Sequence, residues 1–357
     1  LCSTITTRFK GTDGRPSAPL GSRILTSPDD VFNHNMWDHI QWTEEDIENA
    51  RQKAEENSSV QIPLHEQRKF DFQAREFWDK FYTMHQDKFF KDRKWLLFEF
   101  PELLPSGATN MPHASGASTD TENQQRHHNS PAHHQKQTSG DPSSCQGADA
   151  EKDEDSRRTF PGQHASFRIL EVGCGVGNSL FPIIHSIRET NAFLFCCDFS
   201  PCAIRLLKAN PEYDECVCHA FVHDICEETA CLPFPPQSLD AILAVFVLSA
   251  IHPDRLQGVV NRLSSYLKHG GIFLFRDYGR YDFSQLRFKK GQCLSENFYT
   301  RGDGTCVYFF TKGETHHLFT NAGLEEVQNL QDRRLQVNRG KKVAMLRVWT
   351  QSKYRKP

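Results

Sequence analysis

The residues best placed to do chemistry in this 357-residue chain begin at Glu171. Apolar Ile169-Leu170 leads into Glu171, and Gly173, Gly175 and Gly177 follow at every second position. An apolar strand that turns into a helix through glycines lets a ligand lie against bare backbone. A dinucleotide fingerprint needs G-x-G-x-x-G. Here Gly177 comes one residue early, and Glu171 stands where such a fold keeps an apolar residue, so hydride chemistry is not expected. Asp198 lies 23 residues beyond Gly175, near the ~20-residue offset at which an acid grips ribose hydroxyls. Asp224, in Phe221-Val222-His223-Asp224-Ile225, is placed to accept from an adenine amino group. Val245 and Phe246 close the next apolar run and can pack on an adenine face. A glycine loop alone is a weak sign. The loop with two acids, in order and each at a strand end, points to a nucleoside-bearing ligand. The alternative is that each aspartate only caps the helix after it.

These residues need elements to hold them. Apolar runs predict strands at 168–172, 193–197, 218–223, 240–246 and 271–276, and helical patterns fill 179–190, 200–209 and 254–268. That alternation predicts an α/β fold with a doubly wound, mostly parallel sheet, and ligands bind outside the carboxyl ends of such strands. A last strand pair is expected at 324–332 and 343–352. Residues 166–357 are thus read as the catalytic domain, and 27–104 as a helical N-terminal region. In that region Thr43 with Asp46 forms a capping signature. The blocks Phe77–Tyr82 and Phe89–Trp95 mix aromatics with Lys and Arg. Such mixtures can stack bases and hold phosphates, although for the aromatics alone a helix core face is the first expectation. Residues 105–165 lack a hydrophobic period and read as a disordered linker. Its His127-His128 and His133-His134 pairs suggest only adventitious metal binding.

Composition narrows the class. Mean hydropathy is −0.60, and no apolar run approaches the ~20 residues of a membrane span. Twelve cysteines without framework spacing suggest free thiols in a reducing compartment. Cys216, Cys218, His219, His223 and Cys226 cluster, but Cys216-x-Cys218 is too tight for a zinc knuckle, so no structural metal is expected. Charge is segregated: residues 27–60 hold nine acids against two bases, and residues 331–357 nine bases against one acid. The basic tail reads as a polyanion-facing surface or as a solvated basic face. Residues 1–26 have transit-peptide composition, the alternative being an ordinary terminus. After the fifth predicted strand, residues 276–301 interleave six bases with tyrosines and phenylalanines, which suits a flipped, stacked base or else a surface ion-pair loop.

Acid-x-Gly-x-Gly-x-Gly resembles the first motif of S-adenosylmethionine (SAM)-dependent methyltransferases. Together with Phe89–Arg93 and Arg276–Gly279, which are far more specific than the loop, it makes the chain similar to the N3-methylcytidine tRNA methyltransferases, the methyltransferase-like proteins two, six and eight. Phe77–Tyr82, Cys197–Ser200, Phe246–Pro253, Leu286–Phe288, Glu296–Tyr299 and Arg301–Thr305 also match. Ala18–Leu25 and Asn33–Trp42 look most like the mitochondrial member, the cytosolic sister being the alternative. The resemblance implies a class I, Rossmann-like fold, SAM as methyl donor, and methylation of cytidine 32 in tRNA anticodon loops. It implies a mitochondrial matrix location, with the cytoplasm as alternative, and seryl-tRNA synthetase as a helper of some members. It carries SAM contacts to Trp78, Tyr82, Gly173, Asp198, Asp224, Ile225 and Val245, with Gly175 beside them in the loop. Cytosine N3 has an in-plane lone pair and no proton to lose, so positioning should dominate catalysis. Asp277 is therefore expected to stabilise the cationic product, while Arg276 and Arg280 hold phosphate or the base carbonyl. The other classes considered are a SAM enzyme acting on protein or small molecules, and a non-catalytic RNA-binding scaffold.

Overall fold

From Phe167 onward, runs of aliphatic and aromatic residues alternate with amphipathic stretches, and each becomes the element its period dictates. The computed structural model describes residues 21–105 and 159–357, of which 21–105 and 160–357 form one compact unit. The histidine pairs, most of the expected linker and residues 1–20 lie outside the described residues. The end of the expected linker is packed: Phe160 lies against the core, with the Arg168 guanidinium 5.6 Å from its ring. The domain's packing thus begins at Phe160 rather than at residue 166.

The N-terminal region supplies β1 (Met36–Trp37), α1 (Glu44–Ser58), α2 (Leu64–Phe72), α3 (Ala74–His85) and α4 (Leu96–Glu99). The domain then runs β2 (Phe167–Val172), α5 (Leu180–Ile187), β3 (Ala192–Asp198), α6 (Pro201–Lys208), β4 (Cys218–Val222), β5 (Leu239–Val245), α7 (Pro253–Ser265) and β6 (Leu267–Tyr278). Three short strands follow, β7 (Cys293–Ser295), β8 (Phe298–Thr300) and β9 (Cys306–Tyr308), then α8 (Lys312–Thr320), β10 (Glu325–Asn338) and β11 (Val343–Arg355). The main sheet has the order β1-β10-β11-β6-β5-β2-β3-β4, and β7, β8 and β9 form a second sheet. Pairs among β2 to β6 are parallel, whereas β11 inserts antiparallel beside β6. The final hairpin is longer than its expected 324–332 and 343–352, because its strands pair through Asn338–Val343.

Strand periodicity explains the core. Leu170, Val172, Phe193, Phe195, Ile242, Ala244, Phe273 and Phe275 pack on one face of the sheet. Their neighbours Ile169, Leu194, Cys196, Ala241, Leu243, Ile272 and Leu274 pack on the other. A strand covered on both faces needs no polar alternation, so these segments read as continuous apolar runs. The cysteines of β3 belong to this packing and are free thiols.

The capping signature is realised in full. Thr43 Oγ1 accepts from Asp46 N–H at 3.1 Å, and the Asp46 carboxylate accepts from Thr43 N–H at 2.9 Å. Thr43→Ala should lower stability by about 1 kcal/mol in denaturant unfolding. The basic tail is only partly a surface. Arg334 pairs with Asp332, Asp38 and Glu99, Arg347 with Asp282, and Lys353 with Glu102. Three of its nine bases therefore meet carboxylates within the fold.

Candidate active site

The carboxyl ends of β2, β3 and β5 open into a cavity of about 860 Å³. Trp78, Tyr82, Gly173, Asp198, Asp224 and Ile225, expected from sequence, all line it. Gly173 holds φ +65°, and a Cβ there would meet Val247 at 2.2 Å, so the loop cannot take a side chain without moving the wall. Gly175 lies beneath Tyr82, whose Oη would be 2.7 Å from an added Cβ. Asp198 ties the loop to the next helix: Oδ2 accepts from Gly175 N–H and Oδ1 from Ser200 N–H, each at 2.9 Å. Asp224 Oδ1 accepts from Cys226 N–H at 2.9 Å, a turn that leaves Asp224 on the cavity wall. Neither aspartate caps a helix: the N-cap of α6 is Ser200, and no helix lies between Asp224 and β5; each bonds loop backbone and still faces the cavity.

Burial pushes the Asp198 carboxyl from its ordinary 3.8 up to about 6, against the pull of the Ser200 and Gly175 N–H donors. Between these values the folded state binds the proton more tightly than the unfolded one. The group's contribution to folding stability therefore falls as pH rises from about 3.8 to about 6. Ligand affinity should run the other way, because a hydroxyl donor needs the carboxylate. SAM affinity measured by calorimetric titration should fall about tenfold from pH 7.5 to pH 5. Asp198→Asn should flatten that profile.

Helix α3 roofs this half of the cavity and is fastened at two places. Asp79 Oδ1 accepts from Ser200 Oγ at 2.5 Å and from Cys202 N–H at 3.2 Å, while Phe81 and Tyr82 pack on Val176, Cys202 and Ala203. Arg93 is the second fastening. Its backbone N–H donates to the Asn178 carbonyl at 2.8 Å, its guanidinium donates to Ser179 Oγ, and it stands 3.8 Å from Glu171 Oε1. Burial raises Glu171 to about 7 even though Arg93 opposes the shift. Neither Asp79 nor Arg93 was singled out as a site residue from sequence. Phe89–Arg93 marked the block, but the partners are 86 residues away at Ser179, a distance no local pattern encodes.

Other expected residues fall elsewhere. Val245 is 1% exposed and belongs to the core; the cavity wall there is formed by Phe246 and Val247. Phe246 adopts φ +58°, an unusual conformation for an aromatic residue, with its ring 5.6 Å from Arg93 and 5.1 Å from Tyr278. Arg276 does not reach the cavity: its side chain pairs with Asp332 at 2.6 Å, donates to Gln351, and lies 5.0 Å from both Trp95 and Trp349. Strand alternation turns it away from the ligand edge. Arg280 also turns inward, to the Phe309 carbonyl at 3.0 Å and the Glu314 carboxylate at 2.7 Å. Asp277 is fully buried behind the wall, its oxygens accepting Ser249 N–H at 2.9 Å and Tyr278 N–H at 2.8 Å. Arg276 and Arg280 are thus paired within the fold, Asp277 fixes the turn after β5, and none of the three lines the cavity. Among the described residues no group of three His, Cys, Asp or Glu is arranged to hold a metal ion, and no helix is long and apolar enough to cross a membrane.

A methyltransferase-domain family model matches residues 169–271, the span that builds this edge. The chain is 52% identical over 337 residues to the tRNA N(3)-cytidine methyltransferase METTL2 of Danio rerio, covering 94% of this chain and 89% of that protein. METTL2B of Homo sapiens is 49% identical over 356 residues, covering 95% and 93%. The chain belongs to the tRNA N(3)-cytidine methyltransferase family. The tRNA N(3)-cytidine methyltransferase METTL8, mitochondrial, of Homo sapiens is 44% identical over 261 residues, covering 67% of this chain and 90% of that one. As a family member the chain is a SAM-dependent methyltransferase with the class I fold. Its residues fit that donor: a side-chain-free glycine loop, acids at the ends of β3 and after β4, and an aromatic roof from α3 converge on one cavity.

Proposed function

We propose that this chain transfers the methyl group of SAM to N3 of a tRNA cytidine, at position 32 of the anticodon loop. The observation that carries the reading is the continuity of one cavity. The lining that holds Asp198 and Asp224 also holds Arg68, Arg75 and Arg255 together with Leu64, Phe72 and Phe298. A planar base enters past apolar and aromatic side chains, and its phosphates meet guanidinium groups. Asp198 accepts from the ribose hydroxyls of the donor, Asp224 from its adenine amino group, and Ile225 packs on the adenine, beneath Trp78 and Tyr82. N3 attacks the sulfonium methyl carbon directly. No proton leaves, so the chain's task is alignment. Asp277 serves it by holding the turn that carries Val247 to Ala250.

Incubation with labelled SAM and unmodified tRNA, followed by nucleoside analysis, should yield 3-methylcytidine. Asp198→Ala leaves the Gly175 and Ser200 N–H groups unpaired and should weaken SAM binding by about 1–3 kcal/mol. Absence of 3-methylcytidine with the intact protein would overturn the reading. The proposed compartment is the mitochondrial matrix, supported by the Arg- and Ser/Thr-rich composition of residues 1–26. The alternative is the cytoplasm, and 3-methylcytidine loss from mitochondrial or cytosolic tRNA in a knockout separates them. The same transfer assay with and without seryl-tRNA synthetase tests the helper implied by the family resemblance.

A further inference from the structure

One feature of the cavity mouth is a single contact between chain segments far apart in sequence. Arg255, in the first turn of α7, donates through Nη2 to Asp71 Oδ2 of α2 at 2.6 Å, across 184 residues. Both side chains line the cavity and are half in solvent, at 49% and 33% exposure. Among the described residues it is the one ion pair joining α2 to the methyltransferase domain. Helix α2 is otherwise lightly held. It buries no residue fully, and Leu64 and Phe72 are 80% and 82% exposed at the rim. Its other anchors are Gln67, whose amide donates to the Leu294 and Ile62 carbonyls at 2.7 Å, and Phe70, which stacks on Phe77 and packs on the buried Leu294, Phe298 and Cys306.

The geometry points to a specificity device: α2 is a lid on the acceptor half of the cavity, and Asp71–Arg255 is its catch, released when a nucleic-acid phosphate takes Arg255 from Asp71. This inference rests on the RNA-acceptor reading above. A solvent-exposed ion pair is weak and readily exchanged. A phosphate offers the guanidinium the same paired acceptors with more charge. Asp71 then acts as a negative determinant. An acceptor without a phosphate backbone gains nothing by displacing it, so a free cytidine meets a lid biased closed while an anticodon arm opens it. Arg255 does double duty, closing the lid in the free enzyme and gripping the substrate in the complex.

The test compares Asp71→Asn with Arg255→Ala in the full-length enzyme, using unmodified tRNA as acceptor. Both substitutions break the same pair, so a merely structural contact shifts both variants the same way. The catch requires opposite shifts. Asp71→Asn frees Arg255 and should lower KM for tRNA roughly two- to fivefold. Arg255→Ala removes the phosphate contact and should raise it about tenfold or more, with Arg255→Lys recovering part of the loss. Hydrogen exchange provides a readout independent of turnover: in both variants the amides of residues 64–73 should exchange faster while those of β2 and β3 do not. KM shifts of the same sign, or α2 exchange unchanged from the parent enzyme, would overturn the catch. If the parent enzyme transfers no methyl to tRNA, the functional reading fails first and the inference with it. If it does methylate tRNA, the variants judge the catch alone.

Discussion

Arg276→Ala should cost about 3–5 kcal/mol of folding stability, the range for removing one partner of a buried ion pair. The substitution strips Asp332, 8% exposed, of its 2.6 Å partner and leaves an empty slot between Trp95 and Trp349. Arg334 still contacts Asp332 at 2.9 Å, which holds the cost toward the lower end. The same change should have little effect on methyl transfer per folded molecule, because the guanidinium lies on the side of β6 away from the cavity. Chemical unfolding and a kcat measured below the shifted transition check both halves. A large fall in kcat at full stability would restore the substrate-holding role that position in sequence suggested. Arg276→Lys should recover little, since a lysine cannot stack between two indoles while serving Asp332 and Gln351.

Arg93→Ala should be as damaging, and its cost should depend on pH. Arg93 is the cation nearest Glu171, whose Oε2 has no hydrogen-bond partner. In the intact protein Glu171 is raised from 4.5 to about 7 by burial. Its contribution to stability is therefore lost as pH rises from about 4.5 to about 7. Without the arginine the folded-state value climbs further, and the loss continues to higher pH. The stability difference between parent and variant should thus widen from pH 5.5 to pH 8, approaching about 3–5 kcal/mol. Thermal unfolding across that range measures it, and a pH-independent difference would show that Arg93 acts through Ser179 and Phe246 and not on the Glu171 charge. SAM affinity should fall in parallel, because the guanidinium also holds the Ser179 hydroxyl at the end of the glycine loop.

Much of this arrangement was legible residue by residue. Strand and helix positions followed from apolar period, and β2 to β6 lie within a few residues of their expected places. The glycine loop, Asp198 and Asp224 were readable because each sits at the end of a strand and acts through nearby backbone. Thr43 and Asp46 were readable for the same reason. What failed was orientation. Arg276, Arg280 and Asp277 follow a strand end and look exposed in one dimension, yet β11 and the β7–β9 sheet enclose them. Strand alternation turns Arg276 toward Trp95 and Trp349, which no local motif announces. The basic tail looked like surface for a similar reason, since its partners Asp38, Glu99, Glu102 and Asp282 are scattered over the chain.

The amino-acid sequence by itself determined the alternation of elements, the class of fold and the strand-end residues Gly173, Asp198 and Asp224 that line the cavity, because period, glycine placement and strand-end acids are local properties. Only the tertiary structure decided that α2 and α3 fold back over that cavity, that Arg93 fastens the segment after α3 to Glu171, and that Arg255 meets Asp71 across the mouth. Those are contacts between residues 78 to 184 positions apart. Their existence depends on the order of strands in the sheet and on which face each side chain takes, and that is settled only when the whole core packs.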